Sequence, residues 1–185
     1  MSTVETKLMT ADELLRLPKD GFHYELVKGE LLRMSPTGTK HGEVTMNLAA
    51  PLHRHVKLNH LGSVYAAETG FKLESNPDTV RAPDIAFVRV ERIQSQGKAQ
   101  GYGDGAPDLA VEVMSPGDSK REVAEKTIEY FAGGARMVWV VNPKSKTVAV
   151  YRAPLEATIL TENDTLDGGE IIPGFQIAVA EIFRI

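Results

Sequence analysis

A chain of 185 residues that is 42% hydrophobic and 25% charged is long enough to bury a core without staples, and its length fits one domain, residues 1–185. It contains no cysteine, which excludes disulfides, thiolate zinc sites and a cysteine nucleophile. The formal net charge of −4 argues against nucleic-acid binding driven by overall charge, but leaves room for a local basic groove or a metal-using enzyme.

The first segment, MSTVETKLMTADELLRL, has no basic stretch followed by an apolar one, and no apolar run reaches membrane-spanning length. No membrane partner is expected, and a cytoplasmic location is. Thr10 to Leu17 reads as a short helix, with Thr10 as N-cap and Glu13 completing a capping box. HYELVKGELLRM follows as a hairpin turning at Lys28-Gly29. From Thr39 to about Leu58, Val44, Leu48, Leu52 and Val56 recur at helical spacing, and Pro51 inside the run should kink or divide it.

GSVYAAE, TGFKLE and APDIAFVRV read as strands, with the turn-rich SNPD between the second and third. GKAQGYGDGAP is a glycine-rich loop, expected to be the most flexible stretch, and it leads into the strand PDLAVEV. SKREVAEKTIEYFAGGA is a helix with Val123, Ile128 and Phe131 as its apolar points and Gly133-Gly134 as its stop. RMVWVVNP and TVAVYRA are two further strands, and short strands around DGGE and PGF make the tail. The pattern is a mixed sheet flanked by helices, α/β or α+β, with an N-terminal hairpin and C-terminal short strands.

Chemistry concentrates in PDLAVEVMSPGDS. Alternation along a strand puts Asp108, Ala110, Glu112 and Met114 on one face and Leu109, Val111 and Val113 on the other. A carboxylate in a largely apolar strand costs several kcal/mol to desolvate unless a cation meets it. A second Pro-Asp pair, Pro83-Asp84, opens the neighbouring apolar strand. Two adjacent strands, each with a carboxylate, can aim oxygens at one point, the donor set that Mg²⁺ takes together with water and a substrate phosphate. Lys126, on the following helix, shares a face with Tyr130 and Glu122. Its ammonium can reach the carboxylate pair, to stabilise developing negative charge or orient an attacking water.

RAPDIAFV, PDLAVEVMSPGDS and EKTIEYFAGGARMVWVVNP, taken in this order, resemble the Uma-two family of "putative" restriction endonucleases, from about YELVKGEL to PGFQIAVAEIF. That family belongs to the PD-(D/E)XK nuclease superfamily, whose core is a mixed sheet between helices. The resemblance implies a restriction-endonuclease-like fold, with Asp84 as the motif aspartate and Glu112 as the motif (D/E). Met114 stands where that motif has lysine, and Lys126 on the next helix is the implied substitute. The first core helix of such nucleases commonly adds a glutamate, a position matched by Glu43 in KHGEVTMNL. His41 resembles a family feature without an assigned role.

Each residue also has a plainer reading. Asp84 can be a turn residue, Glu112 half of a structural salt bridge, and Lys126 a wet-face lysine. Asp108 is as readily a cap or turn carboxylate as a ligand, and Glu43 and His41 can simply favour a helix N-terminus. Ser115 reads as a turn cap rather than a nucleophile. His53 and His55 stand two apart on a helix and cannot face one ion, which leaves His53, His55 and His60 as solvated surface. Trp139 and Tyr151 read as packing.

Two functions follow as expectations. The first is a Mg²⁺- or Mn²⁺-dependent endonuclease acting on DNA, with Asp84, Glu112 and Glu43 as metal ligands and Lys126 stabilising the transition state. The second is a catalytically inactive nuclease-like module used for binding or assembly. Either is expected to form a homodimer or higher homo-oligomer, because duplex phosphates are two-fold symmetric. A carboxylate-pair glycosidase is weaker, since 6% aromatic content is thin for a sugar cleft.

Overall fold

Local chemistry sets the first elements. In the computed structural model, which describes residues 8–18, 20–97 and 100–184, helix α1 (Ala11–Leu15) opens on Thr10 with both halves of the capping box formed. Residues 1–7, at the start of the segment read for a leader, and Lys98-Ala99 of the glycine-rich segment lie outside the described residues. Strands β1 (His23–Val27) and β2 (Glu30–Met34) form the expected hairpin, and Lys28 and Gly29 take φ of 50° and 80°, the signature of a tight two-residue turn.

Helix α2 (Thr39–Leu58) runs through Pro51 undivided, contrary to a break there. Val44, Leu48, Leu52 and Val56 are all buried on the same core, so packing on both sides of Pro51 sustains the helix despite the hydrogen bond that proline cannot donate.

Strands β3 (Gly62–Ala66), β4 (Phe71–Glu74), β5 (Thr79–Arg81) and β6 (Ile85–Arg89) precede a helix absent from the sequence reading, α3 (Val90–Gln96). The glycine-rich segment contributes a two-residue strand, β7 (Gly103–Asp104). Then come β8 (Leu109–Val113), α4 (Lys120–Ala132), β9 (Met137–Asn142), β10 (Thr147–Ala153) and β11 (Glu156–Leu160), with β12 (Thr165–Asp167), β13 (Gln176–Ala178) and α5 (Val179–Ile182) in the tail.

The strands divide between two larger sheets rather than one. A six-stranded mixed sheet runs β11-β10-β9-β8-β6-β3, a five-stranded sheet runs β2-β1-β5-β4-β7, and β12 pairs with β13. Strands β8 and β9 are parallel and joined through α4, as a crossover helix requires. The two faces of β8 separate as alternation demands. Leu109, Val111 and Val113 enter the core with α2, Met137 and Trp139, whereas Ala110 and Met114 join Tyr130 of α4.

Helix α4 begins at Ser119, whose side chain caps it in a capping box with Glu122. Its buried residues are Thr127 and Tyr130, while Ile128 is exposed and Val123 and Phe131 are half-buried. The inward face of α4 is therefore the Tyr130 face, the one that carries Lys126. Among the described residues no helix is long and apolar enough to cross a membrane.

Candidate active site

Strands β6 and β8 are antiparallel, pairing Ile85 with Val111 and Phe87 with Leu109. Continuing that register sets Asp84 opposite Glu112. Each Pro-Asp pair opens its strand the same way. The Val113 N–H donates to Asp84 Oδ2 at 2.7 Å, and the Arg89 N–H donates to Asp108 Oδ2 at 3.0 Å. Where the ladder stops, a carboxylate takes over as acceptor for the opposite strand.

The two ends then diverge. Asp108 is buried, with Arg89 Nε at 3.0 Å from Oδ1 and Arg92 Nη1 at 4.0 Å from Oδ2. Arg92 also donates to the Ala106 and Asp104 carbonyls. Asp108 is thus a structural carboxylate held by guanidinium groups. Asp84 instead meets His41 of α2, whose Nε2 stands 3.2 Å from Oδ2, and whose own carbonyl accepts from the Thr45 hydroxyl at 2.8 Å.

Glu112 faces α4. Lys126 Nζ donates to Oε2 at 3.1 Å and the Tyr130 hydroxyl donates to Oε1 at 2.5 Å. Burial pushes the Glu112 carboxyl above its ordinary range, and the nearby negative charges of Asp84 and Glu25 add to this, while Lys126 pulls the other way. Burial opposes the charge on Lys126, but Glu112 and Glu25 outweigh it and leave the ammonium harder to deprotonate than usual. Tyr130, buried against a carboxylate, is held well above the normal phenol range and stays protonated as a donor.

Behind this pair lies a buried charge network. Glu25 Oε2 accepts from Arg81 Nη1 at 2.7 Å and lies 3.8 Å from Lys126 Nζ, and Oε1 accepts from the Ala82 N–H at 3.0 Å. Arg81 Nε donates to Glu129 Oε2 at 2.7 Å. Burial acts against the Arg81 charge, yet Glu129 and Glu25 raise its pKa above the usual guanidinium value.

The structure therefore brings Asp84, Glu112 and Lys126 together and adds His41. It does not bring Glu43 to them. His41 faces Asp84, and a residue two positions on is turned about 200° around an α-helix, which leaves Glu43 exposed. Among the described residues, no three His, Asp or Glu side chains group as a metal-binding set. Ser115 is not a cap. Its N–H donates to Asp118 Oδ2 at 2.8 Å, and Ser119 caps α4.

His53 and His60 are exposed, and His55 packs edge-on against Phe175 with Nε2 2.9 Å from the Pro173 carbonyl. Trp139 is fully buried in the core. Sequence reasoning missed Glu25, Arg81 and Glu129. The signal that singled out Glu112, a carboxylate inside an apolar strand, is also present at Glu25 in YELV.

The His41–Asp84 pair gives a pH-dependent expectation. Its hydrogen bond to Asp84, more than offsetting burial, raises His41 above the ordinary 6.5. A group with a raised folded pKa contributes stability that is complete below its unfolded value and lost as pH rises through the folded one. In chelator-containing buffer, His41→Asn should cost about 1–2 kcal/mol in urea melts near pH 5.5. The deficit should shrink as pH rises through the raised folded value; a deficit that stays constant from acid to alkaline pH would show that no charged His41–Asp84 pair exists.

The mixed sheet packed between α2 and α4, with opposed acids where β6 and β8 part, has the restriction-endonuclease-like α/β fold. The family model described as "Uma2: Putative restriction endonuclease" matches residues 11–180, and the chain belongs to that family. Its fold is shared by a solved structure from Anabaena variabilis ATCC 29413, described as "a putative nuclease belonging to DUF820". That structure has a TM-score of 0.81 and 21% sequence identity, over 95% of this chain and 97% of the other. No curated protein matches the chain.

Proposed function

We propose that the chain is a divalent-metal-dependent endonuclease that hydrolyses phosphodiester bonds of DNA, a single nuclease-like domain acting in the cytoplasm as a homodimer or higher homo-oligomer. The observation that carries this reading is the Asp84–Glu112 pair, set opposite one another by the β6–β8 register, with an ammonium on Glu112. Family membership agrees with it.

The residues fit a hard dication of the Mg²⁺ or Mn²⁺ type. Two carboxylates are the protein share of such a site, the remainder being water and substrate phosphate. Each Glu112 oxygen accepts one hydrogen bond from α4, and a carboxylate oxygen has two lone pairs. The carboxylates of Glu25, Asp84, Glu112 and Glu129 outnumber the cations Arg81 and Lys126, and still do when His41 is protonated, so a dication meets net negative charge there.

When bound, the metal supplies a more acidic water and a polarised phosphate. Asp84 and Glu112 would hold it. Lys126, kept protonated, places positive charge where the pentavalent transition state gathers negative charge. Tyr130 fixes the Glu112 rotamer, and His41 with the Val113 N–H fixes Asp84. With Met114 at the motif position, the lysine comes from α4, which packs its Tyr130 face onto β8.

Clustered acids repel one another without a counter-ion, so millimolar Mn²⁺ should raise the melting temperature of the wild type and not of Asp84→Asn. A ligand at a hundred times its Kd adds about 2.7 kcal/mol of stability. An unchanged wild-type melt would remove the metal site. The second reading, an inactive binding or assembly module, is favoured by one observation. Lys126 and Tyr130 already partner both oxygens of Glu112. It predicts no Mn²⁺ stabilisation and no plasmid cleavage.

A further inference from the structure

The reaction as drawn gives no part to Glu25, although it is 3% exposed and touches both halves of the site. We infer that Glu25 is a positioning residue for the nuclease reaction proposed above: one oxygen of its carboxylate, together with Glu112, holds the Lys126 ammonium, and its other oxygen pins the segment that presents Asp84. The inference rests on that nuclease reading and names a residue in it that acts through another.

Lysine carries its charge on a long stem with about 2 kcal/mol of rotamer entropy, so one hydrogen bond to Glu112 leaves the ammonium loosely placed. Glu25 Oε2 lies 3.8 Å from that ammonium, from a strand of the other sheet. Oε1 accepts the Ala82 N–H at 3.0 Å, and Ala82 stands two residues before Asp84. Glu25 is itself anchored, because Arg81 Nη1 donates to it at 2.7 Å while Arg81 Nε is tied to Glu129 of α4 at 2.7 Å. One buried carboxylate thus sets the lysine on α4 relative to the acid ahead of β6.

A counter-ion for Arg81 alone would need none of this. Glu129 is the internal comparison. It pairs with Arg81 as closely as Glu25 does, whereas Lys126 pairs, among the described residues, with Glu25 and Glu112. Glutamine at position 25 keeps one acceptor oxygen, turned to either Arg81 or Ala82, and removes the charge that faces Lys126.

The test uses the full chain labelled with ¹³C at the lysine ε-carbons, the Lys126 signal being assigned by its loss in Lys126→Arg. In Glu25→Gln the Lys126 ε-methylene should become as mobile as surface lysines, and in Glu129→Gln it should stay restrained. An unmoved Lys126 signal in Glu25→Gln would overturn the inference. In plasmid cleavage, Glu25→Gln should lower kcat about tenfold with KM nearly unchanged, and should add nothing in a Lys126→Met background.

Equal kcat losses in Glu25→Gln and Glu129→Gln would reduce Glu25 to a structural ion and overturn it as well. Should Glu25→Gln not fold, the wild type still decides. A cross-relaxation contact between the Lys126 ε-protons and the Glu25 γ-protons supports the contact, and its absence rejects it. A wild type that cuts no DNA defeats the nuclease reading by itself, while the lysine signal continues to judge the Glu25–Lys126 contact.

Discussion

Glu112→Gln should slow supercoiled-plasmid cleavage by about 10³-fold or more, a loss of roughly 4 kcal/mol of transition-state stabilisation. The substitution keeps the side chain's size and its place on β8; its one acceptor oxygen can take Lys126, while its NH2 can donate to the Tyr130 hydroxyl oxygen. What disappears is a formal charge opposite Asp84, half of the carboxylate share of a dication site. The loss should appear in kcat/KM and persist at saturating Mn²⁺. The wild type should also show an acid limb.

Only ionised Glu112 serves, and burial raises its pKa, so activity should fall on acidification earlier than an ordinary exposed carboxylate would dictate. For stability the sign runs the other way. A raised carboxyl pKa contributes stability that is present at low pH and lost as pH rises through the folded value, so part of the fold's strength is given up as the site becomes charged. Equal cleavage by wild type and Glu112→Gln would take Glu112 out of the mechanism.

Arg81→Met should be the most destabilising single change in the network, costing about 3–5 kcal/mol. The guanidinium is buried and bridges Glu25 on β1 to Glu129 on α4 at 2.7 Å on each side. Methionine fills much of the volume and leaves two carboxylates without their main partner in a poorly solvated place. For a chain of this size a loss of that order lowers the melting temperature by about 10 °C. Removing the stranded charges together, in Arg81→Met with Glu25→Gln and Glu129→Gln, should recover a large part of the loss, because the attraction within a buried ion network is spent largely on desolvation. If Arg81→Met by itself melts within a degree of the wild type, the bridge contributes no net stability.

Much of the architecture was legible because it depends on neighbours in sequence. The Lys28-Gly29 turn follows from which residues tolerate positive φ, and the α1 capping box from one hydroxyl and one carboxylate three residues apart. The split of β8 into an α2 face and an α4 face follows from strict alternation. The division into two sheets was not legible. It turns on the pairing of Leu26 with Val80, across more than fifty residues, which no local pattern encodes. The inward face of α4 was misread for a related reason. Ile128 is a core residue by type, but the side of the helix that lands on β8 carries Lys126 and Tyr130, which partner Glu112 there. Glu43 was assigned by likeness to a family position, whereas the α2 rotation that buries Val44 and Leu48 turns His41, not Glu43, toward Asp84.

The two Pro-Asp pairs mark the boundary most sharply. By itself the sequence determined that each begins a buried strand and that its carboxylate stands where that strand's ladder of hydrogen bonds runs out. In both cases the aspartate accepts the N–H one residue beyond the point where the register would set its partner. Only the tertiary structure decided which aspartate is left for chemistry. At one end of the β6–β8 pair, Arg89 and Arg92 surround Asp108 and neutralise it. At the other end, α2 delivers a histidine and β8 delivers Glu112, so Asp84 faces a titratable group and a second acid instead of a permanent cation. Identical dipeptides diverge because a carboxylate's role is set by the charges that fold around it, and those come from segments far away in the chain.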